Sequence, residues 1–134
     1  MSLQHIVLFS FPKDLSPRDD AEMRRQVEAW PAEVGGMTSL RLGRSANEER
    51  TRGYQYLLYT EFPDEASLVA YQQHPVHQEF LHWVLARDCT PLAFDYPLDN
   101  TTVILSPPRE GPALANPALA RRPPAAPPGS SQEP

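Results

Sequence analysis

Two residues whose side chains can hold or move a proton, Tyr71 and His77, bracket a segment with the sequence YQQHPVH. A proline disfavours helical geometry in the residue before it, so His74 is predicted to end one helix and Pro75 to begin the next. The positions i+3, i+4, i+7 and i+8 from His77 are apolar, which places its imidazole on the inward stripe of the second helix. The dipole of a first helical turn disfavours a charged imidazole, so His77 is predicted to be neutral and able to accept a proton.

The same segment also has a purely structural interpretation. A histidine on an apolar stripe is more often a core residue bonded to a neighbour than a catalyst, and Tyr71 can equally be a packing aromatic. Two proton-transfer groups at a helix break beside an apolar wall nevertheless make this segment the best candidate site in the sequence.

Length and composition indicate one domain followed by a tail. The chain has 134 residues, of which 40% are hydrophobic, and ten of its 16 prolines follow Asp95. From about Ser106 the sequence has few large apolar residues and no periodicity, so it cannot bury enough surface to offset chain entropy. We therefore expect a domain over residues 1–97 and a disordered Pro/Ala-rich C-terminal tail over residues 98–134.

Charge and cysteine content exclude several classes of protein. The formal net charge is −5 and there is no basic stripe, which argues against nucleic acid or an anionic membrane as a partner. The single cysteine, Cys89, excludes an internal disulfide and a cysteine-rich zinc site. His74 and His77 are not expected to share a metal ion, because the restart at Pro75 turns them in different directions. The first residues lack a charged leader and a membrane span, so a cytoplasmic protein is expected. The partner expected for the candidate site is a small-molecule substrate.

The first predicted strand indicates a partner chain. Residues 3–11 alternate as a strand does, but both of its faces are largely apolar. The helices of one small domain cover only one face of a sheet, so the other face predicts a homodimer. His5 is the one ionisable group on its face, and is either a buried polar residue with a partner or part of a site.

Periodicity predicts the remaining elements. They are a helix over residues 17–34 with a kink near Pro31, strands over 38–45 and 54–62, helices over 65–73 and 75–87, and a strand over 92–96 bracketed by Pro91 and Pro97. This order is typical of an α+β, ferredoxin-like βαββαβ protomer, with a four-stranded antiparallel sheet and helices on one face.

Other side chains are candidates for a pocket between sheet and helices. Met23 and Val27 lie on the inward stripe of the first helix, and Tyr56 is available if its face of the third strand meets the helices. Asp95 is an acid inside an apolar strand and needs a partner, for which the inward-facing candidates are histidines.

Four stretches of the sequence resemble the stress-responsive dimeric α/β-barrel (Dabb) family. They are residues 5–9 (HIVLF), 53–54 (GY), 71–77 (YQQHPVH) and 94–96 (FDY), of which the third is the most specific. The resemblance spans about residues 3–97. It implies a ferredoxin-like protomer whose sheet pairs with a second copy to form a dimeric α/β barrel, with a small pocket in each protomer.

Within that family, the chain resembles the olivetolic acid cyclase-type polyketide cyclases. The resemblance implies that His77 is the catalytic base, Tyr71 the catalytic tyrosine, Asp95 the aspartate that orients the base, and His5 a pocket histidine. A second pocket histidine of those enzymes falls on Tyr56, where this sequence departs from the pattern. The implied function is a cofactor-independent cyclase or lyase that acts on a polyketide-like or β-dicarbonyl substrate by aldol-type chemistry, which requires no metal or organic cofactor.

Two other functions remain open at this point. One is a cofactor-free monooxygenase of the same barrel type, which oxygen consumption would distinguish from a cyclase. The other is a non-catalytic, stress-responsive small-molecule-binding protein in which His77, Tyr71 and Asp95 only satisfy one another. A filled pocket with no room beside His77 would favour that interpretation.

Overall fold

The computed structural model describes residues 2–105, which form four strands and four helices. In chain order these are β1 (Ser2–Ser10), α1 (Pro17–Glu28), α2 (Trp30–Glu33), β2 (Ser39–Arg44), β3 (Tyr56–Phe62), α3 (Glu65–Gln73), α4 (Pro75–Leu85) and β4 (Thr90–Leu98). The strands form one antiparallel sheet in the order β2-β3-β1-β4. The compact unit that contains these elements ends at Thr102. The predicted ferredoxin-like α+β fold is confirmed, whereas most of the predicted tail, from Ser106 onward, lies outside the described residues.

The first helical region differs from its prediction. It was expected to run to Val34 with a kink, but α1 ends at Glu28 and a separate short helix starts at Trp30. Pro31 has no N–H with which to bond the carbonyl of Val27, so the helix cannot continue through it. The restart turns the Trp30 side chain into the core, where it is 1% exposed.

The last strand is longer than predicted. β4 runs through both Pro91 and Pro97, which were expected to bracket it. In the protomer β4 pairs with β1 alone and is one edge of the sheet. A proline on an edge strand can direct its missing donor away from the ladder, so the two prolines do not interrupt the pairing.

The break between α3 and α4 falls where the sequence predicts it. His74 has extended backbone angles, with φ of −70° and ψ of 142°, and Pro75 begins α4. The His74 Nδ1 accepts a hydrogen bond from the Val76 N–H at 3.1 Å, so His74 is the N-cap of α4. Its imidazole is therefore used in holding the second helix at its entrance.

The hydrophobic core lies between the helices and one face of the sheet. On β1, the buried His5, Val7 and Phe9 side chains face the helices. The longest helix described has 12 residues, and among residues 2–105 no helix combines the length and apolar character that crossing a membrane requires.

The opposite face of the sheet carries rows of apolar side chains that none of the four described helices covers. Ile6 of β1 pairs with Phe94 of β4, and in the next row Leu8 pairs with Leu92. Phe94 is 63% exposed and Leu92 is 49% exposed. The open face is therefore apolar and accessible in the protomer.

Candidate active site

A cavity of about 210 Å³ lies between the sheet and the helices, beside the break between α3 and α4. Its polar lining comes from His5, Tyr71, Gln72 and His77, and the rest of its wall is aliphatic or aromatic. Three predicted site residues, His5, Tyr71 and His77, therefore line one cavity. The filled pocket that would have favoured a purely structural role for His77 is not found.

The helix break fixes the tautomer of His77. In a continuous helix the Val76 N–H would bond the carbonyl of Gln72, but here it is taken by the His74 cap. The free Gln72 carbonyl accepts hydrogen bonds from His77 Nδ1 at 3.1 Å and from the Gln78 amide at 2.7 Å. Because a carbonyl oxygen can only accept, the proton of the neutral imidazole is on Nδ1, and Nε2 keeps its lone pair.

The surroundings of His77 favour its neutral form. Burial among apolar side chains lowers the pKa of His77 below its ordinary value. The hydrogen bond to the Gln72 carbonyl opposes this shift, and the nearby His5 adds to it. At neutral pH the imidazole is therefore a base with an unprotonated Nε2, in the state predicted from the sequence.

Asp95 is bonded to His5 and not to His77. The two residues are direct partners in the β1–β4 register, with His5 Nδ1 and Asp95 Oδ1 at 2.5 Å. His77 comes from α4 and takes its bond from Gln72, so the expectation that Asp95 orients His77 is wrong for the protomer. The histidine partner that an acid in this strand requires is present, and it is His5.

The Tyr71 hydroxyl is an unused donor. Tyr71 is fully buried, and its ring packs edge-on against His77 and His5, with centroid separations of 4.6 Å and 5.9 Å. Its hydroxyl has no hydrogen-bond partner within the described part of the chain. Burial raises the pKa of Tyr71, so the hydroxyl stays protonated and can donate a hydrogen bond to a ligand oxygen.

Trp30 is a neighbour of the site that the sequence did not reveal. Its ring contacts those of Tyr71, His77 and Phe80, with centroids 5.5, 6.3 and 5.0 Å away. In the sequence it is one of several apolar residues at helical spacing, and its contact with the site depends on the restart at Pro31. Trp30 therefore supports the two rings that carry the candidate chemistry.

Tyr56 lies away from the cavity, contrary to expectation. It is directly opposite Phe9 on β1, whereas Thr60 is opposite His5, so four residues of strand, or about 13 Å, separate Tyr56 from the level of His5. The Tyr56 hydroxyl donates a hydrogen bond to Asp20 of α1 at 2.6 Å. Tyr56 instead lines a separate hollow of about 420 Å³ beside the β2–β3 connection.

The two candidates from α1 are core residues. Met23 and Val27 are 0% and 1% exposed, and neither lines the cavity that contains His77. The helical stripe faces inward as predicted, but these two residues are part of the hydrophobic core instead of lining the cavity. In residues 2–105 no three His, Cys, Asp or Glu side chains converge to hold a metal ion.

The sequence matches the model of a protein family, and the fold matches solved structures. The model of the stress responsive A/B barrel domain (Dabb) family matches residues 3–98. No curated protein matches the sequence.

Three solved structures illustrate the fold. The hydroxynitrile lyase from Passiflora edulis has a TM-score of 0.66 at 17% identity, over 76% of this chain and 97% of that protein. A dimeric ferredoxin-like protein of unknown function from Jannaschia sp. CCS1 has a TM-score of 0.64 at 25% identity, over 73% and 100%. A mutant of SnoaB, a cofactor-independent oxygenase from Streptomyces nogalater, has a TM-score of 0.57 at 14% identity, over 81% and 98%. The family match covers all eight elements except the first residue of β1, and with it the chain belongs to the stress responsive A/B barrel domain (Dabb) family.

Proposed function

We propose that the protein is a cofactor-independent enzyme of the cyclase or lyase type, which removes a proton from carbon next to a carbonyl group. The observation that carries the proposal is that His77, whose Nε2 is free, and Tyr71, whose hydroxyl has no hydrogen-bond partner among residues 2–105, both line one cavity. Enolate chemistry requires these two groups, a base for the carbon-bound proton and a donor for the oxygen that becomes negative.

The cavity limits the size and polarity of the substrate. An apolar cavity of about 150 Å³ holds a benzene molecule, so the cavity of about 210 Å³ has room for one ring or a short chain. Its wall offers apolar contacts to a hydrocarbon group, and its own polar groups lie only near the two histidines. A short polyketide-like or β-dicarbonyl compound has this distribution of polar and apolar atoms.

The proposal is tested with linear poly-β-keto thioesters of several chain lengths, with products followed by mass spectrometry. His77→Gln removes the base, and His82→Gln is the matched control, because His82 is an exposed histidine on the same helix. We expect cyclised product from the natural protein and the control, and a rate lower by about 10²–10⁴-fold for His77→Gln. Equal rates for all three proteins, or no product at any chain length, would contradict the proposal.

An oxygen electrode in the same reactions separates the alternatives. A cyclase or lyase consumes no oxygen, whereas a cofactor-free monooxygenase consumes it in proportion to product. Stable binding of the thioester without turnover would instead support a small-molecule-binding protein.

We also infer that the protein is a homodimer that pairs through the open face of the sheet. The exposed Phe94 and Leu92 lie in apolar rows with Ile6 and Leu8, and a monomer would leave this patch in water. The related protein from Jannaschia sp. CCS1 is described as dimeric, which supports the same arrangement here.

A further inference from the structure

We propose that His5, held by Asp95, forms with Tyr71 an oxyanion site for enols and phenols, in which His5 takes up the proton that the hydroxyl group of the ligand releases. The inference rests on the proposed function, because it assigns the oxygen-binding half of the same cavity. His77 then accepts the carbon-bound proton of the substrate, and His5 and Tyr71 bind the substrate oxygen.

The pairing of His5 with Asp95 leaves one nitrogen of His5 for a ligand. Asp95 accepts the bond from Nδ1, so Nε2 is the nitrogen that remains to take a proton. His5 is 3% exposed and lines the cavity, whereas the Asp95 side chain is 42% exposed at the edge of the sheet. An imidazole that gains a proton here would face a carboxylate at 2.5 Å, which stabilises the positive charge.

The hydroxyl of Tyr71 provides the second contact for the ligand oxygen. Among residues 2–105 the buried Tyr71 hydroxyl has no partner, which is costly to the fold, and a functional role is one reason why such a group is kept. The Tyr71 ring packs against both imidazoles, and Tyr71 lines the same small cavity as they do. Donors converging on one oxygen favour its negatively charged form.

The proton transfer balances without any other reactant. The O–H bond of the enol or phenol breaks, an N–H bond forms at His5 Nε2, and the electron pair stays on oxygen. The oxyanion then accepts hydrogen bonds from His5 Nε2–H and from the Tyr71 hydroxyl. Asp95 acts through His5 and is a positioning residue.

The probe is para-nitrophenol, a single-ring phenol whose ionised form absorbs visible light. The full-length protein is added to it at a pH below that at which the free phenol ionises, and tryptophan fluorescence quenching reports binding independently. We expect a saturable rise in phenolate absorbance with the natural protein and with the surface control His82→Gln. In His5→Gln the phenol should still bind, but its ionised fraction should fall by about tenfold, which corresponds to one pKa unit.

Asp95→Asn keeps the imidazole and changes only its partner, so it tests the proposal if His5→Gln does not fold. It should also lower the ionised fraction of the bound phenol. Binding only of the neutral phenol, no binding, or ionisation that depends on His77 and not on His5 would overturn the proposal. Ionisation without turnover of thioesters would reject the cyclase function alone, and turnover without ionisation would reject the oxyanion site alone.

Discussion

His5 and Asp95 face each other across β1 and β4, and the carboxylate of Asp95 is 2.5 Å from Nδ1 of His5. His77 lines the same cavity as His5, but its Nδ1 is bonded to the Gln72 carbonyl. The candidate site therefore has two histidines that are oriented separately, one by a side chain of the sheet and one by the backbone at a helix end. Each presents its Nε2 for chemistry.

Asp95→Asn should alter His5 and leave His77 unchanged. An asparagine amide can donate to Nδ1, which favours the other imidazole tautomer. NMR signals of the ring nitrogens report the tautomer of each histidine in the folded protein. A change at His77 with none at His5 would show that Asp95 orients the catalytic base after all.

Turnover should fall at acidic pH, when the imidazole of His77 becomes protonated. Its pKa is lowered by burial, so the imidazole is neutral above the ordinary value of about 6.5, and turnover should fall only as the pH drops below that value. The unfolded chain takes up this proton at a higher pH than the folded protein, so the free energy of unfolding should also decrease as the pH falls through the same range. In His77→Gln this contribution to the pH dependence of unfolding, measured with denaturant at several pH values, should be absent. The same dependence in both proteins would contradict the assignment.

Tyr71→Phe should separate stability from activity. The hydroxyl is buried without a partner among residues 2–105, so its removal should leave the free energy of unfolding unchanged or raise it by up to about 1–3 kcal/mol, while turnover falls. Tyr56→Phe is the contrasting variant, because the Tyr56 hydroxyl bonds Asp20 away from the cavity. Because the acceptor is a carboxylate, loss of this hydroxyl should cost about 1.5–3 kcal/mol and leave turnover unchanged. Denaturant unfolding and thioester turnover measured on both variants check the contrast, and a destabilised Tyr71→Phe would indicate a structural role for that hydroxyl.

Phe94→Arg should convert the dimer to a monomer. The substitution places a charge in the apolar open face, where a second copy would bury it. Val69→Arg is the control, because Val69 is also an exposed apolar residue but lies on α3. Light scattering at micromolar concentration should show a dimer for the control and for the natural protein. A natural protein that is monomeric would remove the inference.

The half of the site that lies on the helices could be predicted from local sequence. Pro75 determines where the chain breaks, and the spacing after His77 determines which way the imidazole points. The carbonyl that orients His77 follows from the same break, because the last carbonyls of a helix need partners outside it. Gln72, in the last turn of α3, could therefore have been found from the sequence.

The sheet half of the site could not be predicted in the same way. Which histidine meets Asp95 depends on the register between β1 and β4, which are separated by 90 positions along the chain at this pair. Each strand alone shows only which face a side chain is on, and the opposite residue is set by packing of the whole sheet. The position of Tyr56 depended on the β1–β3 register for the same reason.

The most direct test of the central claim is the exchange of carbon-bound protons in heavy water. Benzylacetone is a small ketone with one ring, and the protons beside its carbonyl exchange slowly in the absence of a base, so that proton NMR can follow their loss. We expect the natural protein and His82→Gln to accelerate this exchange and His77→Gln to lose the acceleration by about 10²–10⁴-fold. Equal exchange with His77→Gln and the natural protein would contradict the assignment of His77 as the base.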